Sequence, residues 1–139
     1  MPNHCFNRIE IHCRSEEQKK EIKDFLKSEE TCFDLSHILP EPDYESITVK
    51  PTFGFQKEDD THRMPGWWDW RIQNWGTKWN TYDDELFETE DTLEYRFSTA
   101  WSPPEMAIAH LREIFKPERD DVHISAFYDE PGMEIAGYY

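Results

Sequence analysis

Two segments of the chain alternate between apolar and polar residues with the two-residue period of a β-strand. The first spans 5–13, and its predicted buried face comprises Cys5, Ile9, Ile11 and Cys13. The second spans 93–100, and its predicted buried face comprises Leu93, Tyr95, Phe97 and Thr99. Weaker alternation predicts three further strands, over 77–82, 122–128 and 133–139. A type II turn over 130–132, with Gly132 at positive φ, would join the last two.

Three other segments repeat apolar residues with the period of an α-helix. The predicted helices span 16–27, 67–75 and 103–115. Ser15 is the predicted N-cap of the first helix, and Gly76 ends the second. Ser102 is the predicted N-cap of the third helix, which ends before Pro117. Their predicted buried stripes are Ile22, Phe25 and Leu26; Trp68, Ile72 and Trp75; and Ala107, Ile108, Leu111, Ile114 and Phe115.

The order of these elements predicts the fold class. Prolines interrupt 29–66, which we interpret as a loop-rich insertion; an edge hairpin on Ile47, Val49, Phe53 and Phe55 is one alternative. Without this insertion and the last strand, the order is β-α-β-β-α-β. We therefore predict one α+β domain over 1–139, with a ferredoxin-like split β-α-β antiparallel sheet. Two main helices lie on one face, and an extra C-terminal strand extends the sheet.

Charge restricts the partners that the chain can bind. Among 139 residues, 30 Asp and Glu stand against 15 Lys and Arg, which gives a net charge of -15. Such a surface repels phosphates and anionic lipids, so direct binding of nucleic acid or of a membrane is not expected. No apolar run approaches the ~18 residues of a membrane span. A basic protein is the expected partner.

Cysteine and histidine positions do not indicate a metal site or a disulfide framework. The chain has three cysteines, an odd number, and none of them forms a C-x-x-C pair. We expect no secretory leader, and the expected location of the protein is therefore the cytoplasm of a bacterial host cell. On one strand, His4-Cys5 and His12-Cys13 would lie about 26 Å apart. Asp59, Asp60 and His62 are more typical of a solvated loop. No nucleophile motif or phosphate loop occurs, so we predict no catalytic residue, metal or cofactor.

Six tryptophans are dense for a chain of this length. We interpret Trp75, Trp79 and Trp101 as core residues. Neighbouring positions on a helix point about 100° apart, so the other three tryptophans cannot all face inward. At least one of them is predicted to be exposed as a protein-binding anchor. The candidate residues on this helix are Trp67, Trp68, Trp70 and Arg71.

Seven of the twelve residues in 83–94 are acidic, and none is basic. We predict that this segment forms the loop between two strands. Such a cluster fits either a solvated surface or a patch that attracts basic proteins, including a mimic of DNA. The candidate protein-binding residues are Asp83, Asp84, Glu85, Glu88, Glu90 and Asp91.

Three motifs together resemble one known family. They are Asn74-Trp75-Gly76-Thr77-Lys78-Trp79, Ala100-Trp101-Ser102-Pro103-Pro104 and Glu130-Pro131-Gly132-Met133. With the pair Asn7-Arg8, they resemble the YubB-like ferredoxin-like domain family of phages and plasmids, a domain of unknown function. The resemblance implies the fold and a mobile-element origin, and it supplies no catalytic residues.

The leading hypothesis is a non-enzymatic accessory protein of a mobile element that binds a host protein. One form of it is an inhibitor of a nucleic-acid-handling defence enzyme. The alternative is a small-molecule binding module, or an enzyme built on it, that uses a cleft lined by Trp68, Trp70 and Trp101 with nearby carboxylates. A third hypothesis is a structural oligomer formed through the open face of the sheet.

Overall fold

The computed structural model describes residues 3–45 and 66–139, which form an α+β fold around a five-stranded antiparallel sheet. The strands are β1 (His4–His12), β2 (Tyr82–Glu88), β3 (Thr92–Ala100), β4 (His123–Glu130) and β5 (Ile135–Tyr138). Their spatial order is β2-β3-β1-β4-β5. The predicted ferredoxin-like sheet is therefore confirmed, with β5 as the additional strand beyond β4.

The helices cover one face of this sheet. They are α1 (Glu16–Leu26), α2 (Leu35–Ile38), α3 (Trp67–Asn74), α4 (Glu105–Ile114) and α5 (Pro117–Asp120). As predicted, Ser15 caps α1 by accepting a hydrogen bond from the Gln18 amide at 3.1 Å. The apolar stripes of α1 and α4 pack on the inner face of β1 and β3. The core between them includes Ile9, Ile11, Ile22, Leu26, Leu93, Tyr95, Ile108 and Leu111.

The register of β1 and β3 explains why the opposite face of the sheet is open. Ile9 pairs with Tyr95 on the inner face, and the next pair along β1, Glu10 with Glu94, points the other way. Since successive side chains alternate, charged and aromatic residues share the outer face. No helix of the described part of the chain covers that face.

Part of the predicted insertion contributes to the core. Asp34 caps α2 by accepting a hydrogen bond from the Ser36 amide at 2.8 Å. Phe33, Leu35 and Ile38 are buried against the sheet. Within 29–45 only the four residues of α2 are regular structure, but apolar residues at and beside this helix belong to the core, which the sequence pattern does not predict. The hairpin suggested for 47–55 lies outside the described residues.

The second predicted strand is displaced along the chain. Residues 77–81 are not a strand, since hydroxyl groups anchor this segment: Thr77 donates to the carbonyl of Ala100 at 2.9 Å, and Thr81 donates to that of Phe33 at 2.6 Å. Strand β2 begins at Tyr82 instead, and it contains residues that were predicted to form the acidic loop. The alternation of 77–82 reflects side-chain anchoring and not strand pairing.

Two predicted terminal signals also differ from the structure. Ser102 does not cap α4; its hydroxyl donates to the carbonyl of Gly76 at 2.6 Å, and the helix begins at Glu105. In the turn between β4 and β5, the residue at positive φ is Glu134 and not Gly132. Gly132 instead lies close to Asn3, because a Cβ at this position would be 2.7 Å from the Asn3 side chain, which would have to shift.

Candidate functional site

The acidic residues after α3 line one edge of the sheet. We call Asp83, Asp84, Glu85, Glu88, Glu90 and Asp91 the acidic edge; the first four lie on β2 and the last two in the following turn. Among the strands that the structure describes, β2 pairs with β3 alone and so lies at the edge. Charged side chains on an edge strand discourage pairing with other sheets, so part of this acidity has a structural use.

Two members of the acidic edge fasten β2 to the helical layer. Asp84 accepts a hydrogen bond from the amide of Cys32 at 2.8 Å. Burial opposes ionisation of Asp84, but its hydrogen bonds prevail and lower the pKa of this carboxyl. Glu88 lies 3.1 Å from the ammonium group of Lys23 and 3.7 Å from that of Lys19. Groups of the same chain therefore already bind the carboxylates of Asp84 and Glu88.

Other members of the acidic edge are available to a partner. Asp83, Glu85 and Glu90 are exposed and form no ion pair within 3–45 and 66–139. Asp83 lies at a β-bulge with φ 51°, where the pairing of β2 with β3 shifts register. A bulge re-aims the side chains of an edge strand, and here it turns Asp83 toward the open face.

The open face contains a depression of about 470 Å³ next to the acidic edge. Its lining includes Phe6, Arg8, Arg96, Ser98, Phe127 and Asp129. Both arginines are held by neighbours on the same face. Arg8 lies 5.2 Å from the ring centre of Phe127, and Arg96 lies 2.6 Å from a carboxylate oxygen of Glu94. Arg8 therefore packs on a ring of the neighbouring strand, and Arg96 is paired with a carboxylate of its own strand.

The tryptophans of α3 are half-buried, and Arg71 lies among them. Its guanidinium lies 5.0 Å from the ring centre of Trp67 and 5.1 Å from that of Trp75. It also donates to a carboxylate oxygen of Glu41 at 2.8 Å. Trp70 packs edge-on against Trp75, and Trp68 is half-buried as well. Arg71 is therefore bound by groups of the same chain and is not part of the acidic edge.

Two tryptophans assigned to the core are on the surface, which corrects the prediction. Trp75 is buried as predicted, but Trp79 is 39% exposed and Trp101 is 45% exposed. Strand alternation would have placed Trp101 on the inner face after Thr99. The backbone instead adopts φ 71° at Trp101, which turns the side chain outward. The outward direction of the Trp101 side chain therefore follows from its dihedral angle and not from the alternation of the strand.

A buried polar network lies under the start of α4. Asn7 donates to the hydroxyl of Thr99 at 3.0 Å and accepts from the hydroxyl of Tyr139 at 2.8 Å. Burial raises the pKa of the adjacent Cys5 thiol to about 11, so this thiol is not an activated nucleophile. Glu130 is fully buried and accepts from the amide of Met133 at 2.7 Å. The other carboxylate oxygen of Glu130 has no hydrogen-bond partner within the described residues.

No cluster of three metal-ligating side chains occurs among the residues that the structure describes. The two His-Cys pairs lie at opposite ends of β1, and Asp59, Asp60 and His62 lie outside the described residues. No described helix combines the length and the apolar character that a membrane span requires.

The sheet order, the helices on one face and the open opposite face define a ferredoxin-like domain. Residues 74–139 match a family model described as the ferredoxin-like domain in Api92-like protein. The match covers slightly less than half of the chain and includes β2, β3, β4 and β5 but not β1. Because β1 lies between β3 and β4, residues before the matched segment complete the sheet. No curated protein and no solved structure gives a significant match to the chain.

Proposed function

We propose that this chain is a non-enzymatic protein-binding domain whose acidic edge binds a basic protein. The observation that carries the proposal is the set of exposed carboxylates at Asp83, Glu85 and Glu90, which no basic side chain of the described part neutralises. Like charges held on a rigid edge strand create a directional negative potential. Such a potential steers a positively charged partner and repels nucleic acid.

The motifs of residues 74–79, 100–104 and 130–133 support a mobile-element origin through their resemblance to the YubB-like family of phage and plasmid proteins. The proposed compartment is the cytoplasm of the bacterial host, and the three unpaired thiols agree with a reducing environment. The proposed partner is a host protein. We favour a nucleic-acid-handling defence enzyme, since such enzymes present lysine and arginine surfaces to phosphates. Occupation of that surface by the acidic edge would inhibit the enzyme.

Two charge-matched variants test this proposal. The edge variant combines D83N, E85Q and E90Q. The control variant combines E17Q, E21Q and E118Q, which removes the same charge from exposed positions on α1 and α5. Both variants keep the side-chain size, and none of the six residues has an ion-pair partner in the described part of the chain.

The experiment is affinity capture from a bacterial lysate with wild type, edge variant and control variant, quantified by mass spectrometry. We expect a basic protein that the wild type and the control variant retain, that the edge variant loses, and that salt releases. Equal retention by the edge and control variants would show that net charge, and not the acidic edge, is responsible. Retention that resists salt would also contradict the proposal.

A further inference from the structure

We infer that the depression on the open face binds an arginine side chain of the basic partner. The inference rests on the proposed function, because the arginine belongs to the protein that the acidic edge attracts. It adds a defined recognition site to a surface that otherwise attracts partners by charge alone. Three features of the depression support it: an unpartnered aromatic ring, a serine hydroxyl that lines the depression and an excess of carboxylates.

The aromatic ring is that of Phe6. It is 51% exposed and makes no ring or cation contact with any other residue of the described ranges. Two other phenylalanine rings on this face each contact a guanidinium group. Arg8 lies over Phe127, and Arg96 lies 4.6 Å from the ring centre of Phe87. A planar guanidinium stacks on an aromatic face more readily than an ammonium group does. Phe6 offers a third place of this kind, open to a partner.

A serine hydroxyl lies at the same place, since Ser98 on β3 is directly opposite Phe6 on β1. Ser98 is only 4% exposed and lines the depression. Its hydroxyl oxygen can accept a hydrogen bond from a donor that enters the depression. The five N–H groups of a guanidinium can supply that donor.

The charge of the depression favours a cation. Asp83, Glu85 and Asp129 line it and form no ion pair in the described structure. Glu85 lies opposite Arg96 on the neighbouring strand, but Arg96 pairs with Glu94 instead. Arg8 is likewise satisfied, since it lies 3.6 Å from Glu10. After these pairs are formed, three carboxylates remain around the depression to bind an incoming guanidinium.

The test uses three short peptides and isotope-labelled protein observed by NMR. The peptides are Ac-Gly-Gly-Arg-Gly-Gly-NH2 and its counterparts with citrulline or lysine at the central position. We expect the arginine peptide to shift the resonances of Phe6, Ser98 and Asp129. The citrulline peptide, which keeps the shape but lacks the charge, should bind at least about 10-fold more weakly. The lysine peptide should bind about 3-fold or more weakly than the arginine peptide, because an ammonium group does not stack as a plane.

Variants outside the acidic edge locate the site. F6L and D129N should each weaken the arginine peptide at least about 3-fold, whereas the aromatic control W79L, at an exposed tryptophan elsewhere, should leave its affinity unchanged. Equal binding of the arginine and citrulline peptides would overturn the inference. So would tighter binding of the lysine peptide, shifts confined to other surfaces, or concentration-dependent shifts without peptide, which would indicate that a second copy covers this face.

The two proposals fail separately. If the edge variant captures the same proteins as the wild type while the arginine peptide still shifts Phe6 and Ser98, the proposed function is wrong and the arginine site stands. If capture depends on the acidic edge but the peptide leaves Phe6, Ser98 and Asp129 unchanged, the arginine site alone is wrong.

Discussion

Replacing Gly76 by alanine perturbs the contact between the segment after α3 and the start of α4. Gly76 has φ 91°, and an added Cβ would lie 2.9 Å from the amide nitrogen of Glu105 and 3.2 Å from the carbonyl of Pro103. These are backbone atoms, so they cannot move aside by changing rotamer. Ser102 holds Gly76 in this position through its hydrogen bond to the Gly76 carbonyl. We therefore expect G76A to strain the junction without relief.

The magnitude follows from three contributions to the free energy of unfolding. A left-handed backbone costs alanine about 1–2 kcal/mol. Relieving the contact with Glu105 and Pro103 costs about 1–3 kcal/mol. The lower entropy of the unfolded chain offsets about 0.4–1 kcal/mol of this cost. We therefore expect G76A to destabilise the fold by about 1–4.5 kcal/mol.

Two other glycines supply matched controls. At Gly137 an added Cβ would meet only a ring carbon of Tyr128 at 3.9 Å, so G137A should change the stability by less than about 0.5 kcal/mol. At Gly132 the clash is with the side chain of Asn3, which can rotate away, so G132A should lie between the other two variants. Urea unfolding followed by tryptophan fluorescence measures all three. A free energy for G76A within about 0.5 kcal/mol of that for G137A would refute the reasoning.

Three further perturbations probe the interior. Burial raises the pKa of the Cys5 thiol to about 11, and burial together with the nearby Asp84 raises the pKa of the Cys32 thiol to about 12. A thiol-reactive dye at about pH 8 should therefore label the native protein far more slowly than the denatured protein. Equal labelling rates would contradict this prediction. Burial opposes ionisation of Asp34, but its hydrogen bonds lower the folded-state pKa below the unfolded value. The resulting stabilisation is present above the unfolded-state pKa of about 4 and is lost as the pH falls through the folded-state pKa. The free energy of unfolding of D34N should therefore fall less steeply in acid than that of the wild type. Parallel curves of unfolding free energy against pH for the two proteins would refute this assignment. R71K should lower the free energy of unfolding by about 1–2 kcal/mol, because a lysine cannot stack on Trp67 and Trp75 and bind the Glu41 carboxylate in the same geometry. A change below about 0.3 kcal/mol would show that these contacts contribute little.

The elements with a buried face give the clearest sequence signal, although α3, β4 and β5 also lie close to their predicted positions and α3 contains no fully buried residue. β1, β3, α1 and α4 each combine apolar residues at a regular spacing with a polar opposite side, and their core residues were identified. β2 was not, because an edge strand buries little and its acidic residues have low strand propensity. α2 has only four residues, too few for a periodic signal, although Asp34 before Leu35 is a recognisable cap.

The candidate site was predicted in composition but not in geometry. The acidic residues of 83–91 were identified, yet as a loop and not as the edge of the sheet. The depression depends on the register that places Phe6 opposite Ser98, residues 92 positions apart in the chain. Such a contact between distant residues leaves no local pattern. The exposure of Trp101 likewise depends on a single dihedral angle that opposes the strand alternation before it.

The most direct test of the central claim is the affinity of the chain for a labelled oligolysine peptide, measured by fluorescence anisotropy. Exposed ion pairs contribute about 0.2–1 kcal/mol each, so loss of Asp83, Glu85 and Glu90 in the edge variant should weaken binding by about 3- to 150-fold. The control variant, which loses Glu17, Glu21 and Glu118, should weaken it by less than about 2-fold. Equal weakening in the two variants would mean that the peptide senses net charge only, and that the acidic edge is not a binding surface.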